Sequence, residues 1–241
     1  MIPKKAFVLA AGWGTRLRPL TDTCPKPLVS VQGRPMIDSI LQALAHAGVE
    51  ECVVNTHYKA EVLERYLQEN PACSRWPDIH ISRENTLLDT GGGIQNALHY
   101  FDAPFFVVSG DSLWENAENE QTLVQLAQGW NPEIMDILLL LQPVETMMVT
   151  QGVGDYDVCP DGRVVRSLEK KGLAMFTSIR INHPRIFPSG KTEPFSYLSL
   201  LDKAQSQGRL YGVEHHGVWH HISTPEDVAA VNALKGQILC A

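Results

Sequence analysis

The chain lacks an excess of positive charge, an apolar run long enough to cross a bilayer, and any paired-cysteine motif. Each absence removes a class of function. A net charge of −7 over 241 residues argues against general binding to nucleic acid or to an anionic membrane. The densest apolar stretch, ILLLL at 137–141, falls far short of the roughly 20 residues of a membrane span and reads as a buried strand. The five cysteines, Cys24, Cys52, Cys73, Cys159 and Cys240, are odd in number, scattered and free of any Cys-x-x-Cys. That pattern predicts reduced thiols, mostly acting as small core hydrophobes, in a cytoplasmic protein. The opening MIPKKAFVLAAG mimics a signal peptide only in outline, because its apolar stretch is short and a glycine-arginine loop follows at once. There is no internal repeat and no low-complexity linker, so the length reads as one domain. Nothing in the pattern selects an oligomeric state.

What the chain does have is a local concentration of cations. Lys4, Lys5, Arg16, Arg18, Lys26 and Arg34 precede residue 36 with Asp22 as the one acidic counterweight. A basic segment on an acidic protein suits a small anion rather than a long polyanion. The charges cluster in LAAGWGTRLRPLTDTCPKP, residues 9–27. Gly12 and Gly14 let backbone N–H groups approach an anion closely. Arg16 offers a planar fork of donors matched to phosphate oxygens. Lys26 stands between Pro25 and Pro27, whose rings stiffen the backbone that aims it. A Walker loop is absent, and a dinucleotide fingerprint would need glycine where Leu17 stands.

Hydrophobic spacing predicts strands at 6–10, 51–55, 78–82, 104–109 and 136–142, and helices at 35–47, 59–68, 93–100 and 120–129. This alternation implies a Rossmann-like α/β fold: an open, mostly parallel sheet flanked by helices. Beyond 144 the rhythm shortens. Strands at 155–158, 164–168 and 175–182 predict a small antiparallel portion beside the main sheet, followed by helices at 195–207 and 225–234. In open α/β sheets ligands bind beyond the carboxyl ends of the strands. Three chemically loaded stretches fall there: the loop after the first strand, RENTLLDTGGGI after the third, and SGDS after the fourth.

The string LAAGWGTRLRPLT…PKP resembles the signature of the sugar-1-phosphate nucleotidyltransferases. RENTLLDTGGGI, FFVVSGDS, GVGDYDV, SLEKK and VWHHISTPED follow in that family's order over most of the chain. The compact length, LDTGGGI and GVGDYDV are most similar to the bacterial N-acetylmuramate-1-phosphate uridylyltransferases of cell-wall recycling. The resemblance implies a GT-A-like nucleotidyltransferase fold, with a nucleotide-binding part at about 1–143 and a sugar-binding part at about 144–241. It also implies that a nucleoside triphosphate and a sugar 1-phosphate react to give a nucleoside-diphosphate sugar and pyrophosphate. By that analogy Arg16, Lys26 and Asp111 are catalytic. Leu9, Ala10, Ala11, Gly12, Gly14, Thr15, Arg16, Glu84, Asp89, Thr90 and Gly91 line the nucleotide site. Ser109, Gly154, Glu169, Lys170 and Thr177 line the sugar site. Glu84, five residues before Asp89, takes the spacing of a base-reading pair. A carboxylate accepts from uracil N3–H, and from guanine N1–H and N2–H together. The overall similarity favours UTP, with a mannose- or heptose-1-phosphate guanylyltransferase as the enzyme rival. His57, at a strand end, reads as structural.

The expected cofactor is Mg²⁺, held by Asp111 after a buried strand. Relatives commonly carry W-x-D-x-G-T near the C-terminus, and here His221 stands in place of that aspartate and Ser223 in place of the glycine. Imidazole is a poor ligand for hard Mg²⁺. Three readings stay open: His221 donates to a phosphate, His221 shifts the preference toward Mn²⁺ or Co²⁺, or the chain is an impaired, nucleotide-sugar-binding regulator. Strand alternation would send His220 and His221 to opposite faces, against a zinc site built from His215, His216, His220 and His221.

Overall fold

A computed structural model describes residues 2–147, 149, 152–190 and 192–234. In chain order the strands of the first half are β1 (Lys5–Leu9), β2 (Ser30–Val31), β3 (Arg34–Pro35), β4 (Glu51–Thr56), β5 (Asp78–Arg83), β6 (Phe105–Ser109) and β7 (Ser112–Glu115). Those of the second half are β8 (Ile137–Pro143), β9 (Tyr156–Val158), β10 (Val164–Arg166), β11 (Ala174–Asn182), β12 (Leu210–Glu214) and β13 (Val218–His221). The helices are α1 (Met36–His46), α2 (Ala60–Glu69), α3 (Asp89–Asn96), α4 (Thr122–Gln128), α5 (Leu198–Ser206) and α6 (Pro225–Asn232).

Ala6, Phe7 and Val8 are fully buried, as a central strand covered on both faces requires. β1 pairs in parallel with β4 and β6, and β4 with β5. The main sheet runs β5-β4-β1-β6-β11-β8-β12, with the β9–β10 hairpin added at the start of β11. Alternation along β1 sends Ala6 and Val8 into a core beneath α1 and α4, and Phe7 into a second core beneath α3 and α5. The sheet is therefore a middle layer between two helical ones.

The antiparallel portion is present, but its longest strand is not beside the main sheet. β11 runs inside it, antiparallel to β6 on one side and β8 on the other. Its register with β8 shifts between Phe176 and Arg180, where β11 uses four residues against two. Ser178, within this bulge, takes a left-handed φ of 64°. Thr177 fixes the bulge: its hydroxyl donates to the Leu140 carbonyl at 2.8 Å, and its own carbonyl accepts from Ser112 Oγ at 2.9 Å.

The hairpin β2–β3 and strands β7, β12 and β13 were not predicted. β7 and β13 form a separate antiparallel pair in which Ser112 faces His221. Buried Gln142 of β8 accepts from the Trp219 N–H at 3.0 Å, which ties β13 to the main sheet. His220 is buried against Glu115, and His221 lies on the other face, as alternation requires. Helix α3 starts four residues earlier than predicted, because its glycines pack against the chain. A Cβ on Gly91 would lie 2.3 Å from the Phe195 ring, and one on Gly92 would lie 2.5 Å from the Glu193 carbonyl. Among the described residues no helix is long and apolar enough to cross a membrane.

The chain leaves β13 into a capping box. Thr224 accepts from the Asp227 N–H, and the Asp227 carboxylate accepts from the Ser223 and Thr224 N–H groups at 2.8 Å each. Thr224→Ala is expected to lower unfolding free energy by about 1 kcal/mol. Urea denaturation should show this as a lower midpoint with an unchanged slope.

Candidate active site

The site forms where β1 and β6 end side by side. The Gly110 N–H donates to the Leu9 carbonyl at 2.8 Å, and a Cβ on Gly110 would lie 2.7 Å from that oxygen. Only glycine lets the two loops approach this closely, and the approach delivers Asp111 to the loop that follows β1. There Lys26 Nζ pairs with Asp111 Oδ2, and Ser109 Oγ donates to Asp111 Oδ1. Burial favours the neutral carboxyl of Asp111. The Lys26 charge, with hydrogen bonds from Lys26 and Ser109, outweighs it and holds Asp111 below the usual carboxylate range.

Lys26 is aimed by its surroundings. Pro25 is extended, and a 3-10 turn over Lys26–Leu28 closes when the Lys26 carbonyl accepts from the Val29 N–H. Gly14, with φ 62°, packs its Cα side onto Thr21 and the Lys26 Cβ, where a side chain would crowd both. Thr15 and Arg16 follow in an exposed 3-10 turn. The Arg16 charge reaches His221, as do those of Lys26 and Asp111. Burial first, then Lys26 and Arg16, push the His221 imidazole below its ordinary value, while Asp111 pulls it up. His221 Nε2 lies 2.8 Å from Ser223 Oγ. Arg16, Lys26, Asp111 and His221 therefore converge on one locality.

A cavity of about 240 Å³ opens over Lys26 and Asp111, and Gly14, Thr15, Arg16 and His221 are not in its wall. Leu9, Ala10, Ala11, Gly12, Lys26 and Asp111 line one part of it; Glu84, Asp89, Thr90 and Ser109 line the rest. Gly91 does not line it. The N–H groups of Gly91 and Gly92 donate to the Phe195 carbonyl, so these glycines serve packing between α3 and the segment before α5. Glu84 is neither a surface charge nor a free carboxylate. It is buried: Oε1 accepts from Asn55 Nδ2 at 2.7 Å, and Oε2 from the Leu88 N–H at 2.9 Å. Asn55 Oδ1 in turn accepts from the Ala10 N–H at 2.6 Å. Glu84 thus braces the β1 loop against the turn into α3. Burial pushes its carboxyl above the usual range. His57 Nδ1 lies 2.9 Å from the Glu84 carbonyl and its ring meets Trp13 edge-on, a structural placement.

Across Leu9, Thr90 and Ser109 the first cavity continues into a second of about 470 Å³. Lys170 lines it, paired with Asp155 at 2.5 Å. Ser109 borders both cavities, and the other three residues predicted for the sugar site lie elsewhere. Glu169 is exposed and pairs with Lys171. Gly154 packs backbone to backbone on Gly172, where a Cβ would overlap the Gly172 carbonyl. Thr177 is fully buried in the β11 bulge. Arg166, Phe176, Arg180 and Tyr197, which do line this cavity, were missed. The legible signal was an arginine inside the apolar strand FTSIRIN.

Among the described residues no group of three or more His, Cys, Asp or Glu could hold a metal by itself. His215, His216, His220 and His221 have separate partners in Gln142, Glu120, Glu115 and Ser223.

Residues 5–170 match the nucleotidyl transferase family. The chain is 39% identical over 236 residues to N-acetylmuramate alpha-1-phosphate uridylyltransferase of Caulobacter vibrioides, covering 96% of each chain. The chain belongs to the nucleotidyl transferase family. This nucleotidyltransferase is also 33% identical to the enzyme of the same name from Neisseria meningitidis serogroup B, over 96% of its own length and 98% of the relative's. It is 32% identical to mannose-1-phosphate guanyltransferase of Neurospora crassa, over 92% of its length and 62% of the relative's. In fold it is similar to a UDP-glucose pyrophosphorylase complexed with UDP-glucose, at a TM-score of 0.77 and 21% identity, with 97% and 98% of the chains covered.

The Glu84 brace needs two acceptor oxygens, since both of its partners are donors. Glu84→Gln would set an amide N–H₂ against one of them and strand a buried donor. The expected result is a loss of about 1–3 kcal/mol of stability, read by denaturant unfolding, with weaker triphosphate binding. Unchanged stability would rule the brace out.

Proposed function

We propose that this nucleotidyltransferase joins UTP to N-acetylmuramate 1-phosphate, or to a close hexosamine-type 1-phosphate, giving the UDP-sugar and pyrophosphate. One observation carries the reading. An ammonium held by a carboxylate, Lys26 on Asp111, lies at the wall of a cavity that runs on into a second. A triphosphate fits the first cavity and a sugar the second, so the phosphate of the sugar meets the α-phosphorus near Lys26. The two curated uridylyltransferase relatives support the choice of base and sugar.

The nucleophile is a phosphate oxygen that is already ionised, so no general base is needed. It attacks the α-phosphorus, the bond from that phosphorus to the bridging oxygen of the β-phosphate breaks, and pyrophosphate leaves. The protein's task is to bring two polyanions together and spread the charge that develops. The Gly12 backbone and Arg16 clamp the triphosphate, Lys26 neutralises charge at the reacting phosphorus, and Glu84 holds the loop that carries them. Leu9, Ala10, Ala11, Gly14, Thr15, Asp89 and Thr90 shape the nucleotide end, and Ser109 and Lys170 the sugar end. The reading divides the chain into a nucleotide part at about 1–143 and a sugar part at about 144–241, with Leu9, Thr90 and Ser109 of the first part also bordering the second cavity.

The donor set fits a hard divalent ion that takes most of its ligands from phosphate and water. Asp111 supplies one carboxylate, with the His221 imidazole nearby, and Mg²⁺ needs only one or two protein carboxylates. When bound there, Mg²⁺ would neutralise phosphate charge. Reduced thiols and cell-wall recycling both suit a cytoplasmic enzyme.

Pyrophosphate release, measured for each triphosphate against a panel of sugar 1-phosphates, should be fastest with UTP. A strong GTP preference would overturn the uridylyl reading in favour of the guanylyl rival. Tight triphosphate binding without turnover under any divalent ion would favour the regulator. Arg16→Met should lower kcat by roughly 10²–10³ with little change in stability, because Arg16 is exposed. His221→Asp should preserve or raise Mg²⁺-dependent turnover. Loss of turnover in that variant would show that the imidazole has a separate role.

A further inference from the structure

Among the described residues, the second cavity contains one cation without an anion. Its other two basic side chains are matched, Lys170 by Asp155 and Arg166 by Asp202. Arg180 is 1% exposed, yet Nε and Nη2 of its guanidinium have no hydrogen-bond partner among the described residues. Its carbon Cζ stacks 3.9 Å from the centre of the Tyr197 ring, with the Phe176 ring at 5.7 Å. The ionisable groups that stabilise its charge are the phenols of Tyr197 and Tyr156, with no carboxylate among them.

A buried, uncompensated guanidinium is costly, and the local sequence had a cheap alternative. Its strand neighbours Ile179 and Ile181 are fully buried apolar residues. The two rings hold the guanidinium flat without neutralising it. That is how a planar fork is prepared for an incoming carboxylate. The phosphate of the sugar does not supply this anion, because it belongs at the Lys26 end of the first cavity. The charge that Arg180 lacks must sit on the sugar itself. Leu168, Phe176, Leu198 and Leu201 add apolar walls to the same cavity, suited to methyl groups beside an acid.

We propose that Arg180 reads a carboxylate on the sugar, so that the site selects an acidic sugar 1-phosphate over its neutral counterpart. The inference rests on the nucleotidyltransferase reading above and adds the specificity residue to it. Among hexosamines the chemistry is that of a lactyl ether: N-acetylmuramate carries the acid, and N-acetylglucosamine is the same sugar without it.

The test is pyrophosphate release with UTP from N-acetylmuramate 1-phosphate and from N-acetylglucosamine 1-phosphate, for the wild type, Arg180→Met and Arg180→Lys. Turnover of either sugar by the wild type upholds the underlying reading; turnover of neither defeats that reading and this inference with it. The wild type should favour the acidic sugar by roughly 10²-fold in kcat/KM. Equal use of the two sugars overturns the proposal before any variant is made. Arg180→Met should bring the selectivity ratio close to one, chiefly through KM for the acidic sugar, and Arg180→Lys should restore part of it. An equal fall on both sugars, or an unchanged ratio, would leave Arg180 a structural residue. Thermal melting gives an independent readout. Arg180→Met should raise Tm of the free protein by removing an unpaired buried charge, and should abolish the Tm shift that N-acetylmuramate 1-phosphate causes in the wild type. A variant that fails to fold would contradict this expectation and count against the proposal.

Discussion

The contact between the loops that follow β1 and β6 is the constraint on which the site depends. The Gly110 N–H reaches the Leu9 carbonyl, and Asp111 then meets Lys26 from the other loop. Neither loop is chemically complete alone. The first brings donors and cations, and the second brings the carboxylate that keeps one cation in place. In a partly buried setting the carboxylate is held ionised by the lysine, and the lysine is held in one position by the carboxylate. On the proposed reading the pair is preorganised for a phosphate, which would share the ammonium without displacing its partner. The flanking features serve the same contact. Gly14 packs on the Lys26 stem, the Pro25 backbone is extended, and the Glu84–Asn55 bridge holds the Ala10 N–H from behind.

Much of this was legible in the sequence, for physical reasons. The strands 6–10, 51–55 and 104–109 are short apolar runs ended by polar residues or glycine, and they form the parallel centre of the sheet. The glycine-arginine loop and SGDS lie at strand ends, and the fold rule for open sheets brings them together. What was not legible depends on distant pairing. β7 and β13 are four residues each and owe their existence to one another. β11 looked like one more short strand beside the sheet. Only its two partners show that it lies within it. The glycines of α3 read as access for a ligand, because sequence does not reveal that Phe195 lies against them.

His221 illustrates how a departure from a family pattern takes its meaning from geometry. The β7–β13 pairing sets it opposite Ser112, one residue beyond Asp111. A residue at this point sits within the field of Asp111, Lys26 and Arg16 whatever its type. Burial and the two cations push the imidazole below its ordinary value, which disfavours a further positive charge in a locality already rich in cations. A neutral imidazole offers one N–H donor and one acceptor nitrogen, and Ser223 already engages Nε2. On the proposed reading a divalent ion at Asp111 would meet a single protein carboxylate and would take more of its ligands from the triphosphate. Metal and triphosphate should consequently bind as a unit, each weak without the other.

On the proposed reading the two cavities solve different electrostatic problems. In the first, flexibility is acceptable, because phosphates carry several charges and can be met from many directions by Arg16 on an exposed turn. In the second, the charge to be met would be single and its position must be read. The cation there is accordingly buried, flattened on Tyr197 and anchored in the centre of the sheet by its pairing with Val107 and Leu139. Such a rigid group cannot follow a misplaced ligand, and rigidity of this kind discriminates between substrates rather than accelerating the reaction. The bulge at Ser178 fits the same division of labour. It lies before Arg180 and leaves that residue in the regular ladder, opposite Val107 and Leu139.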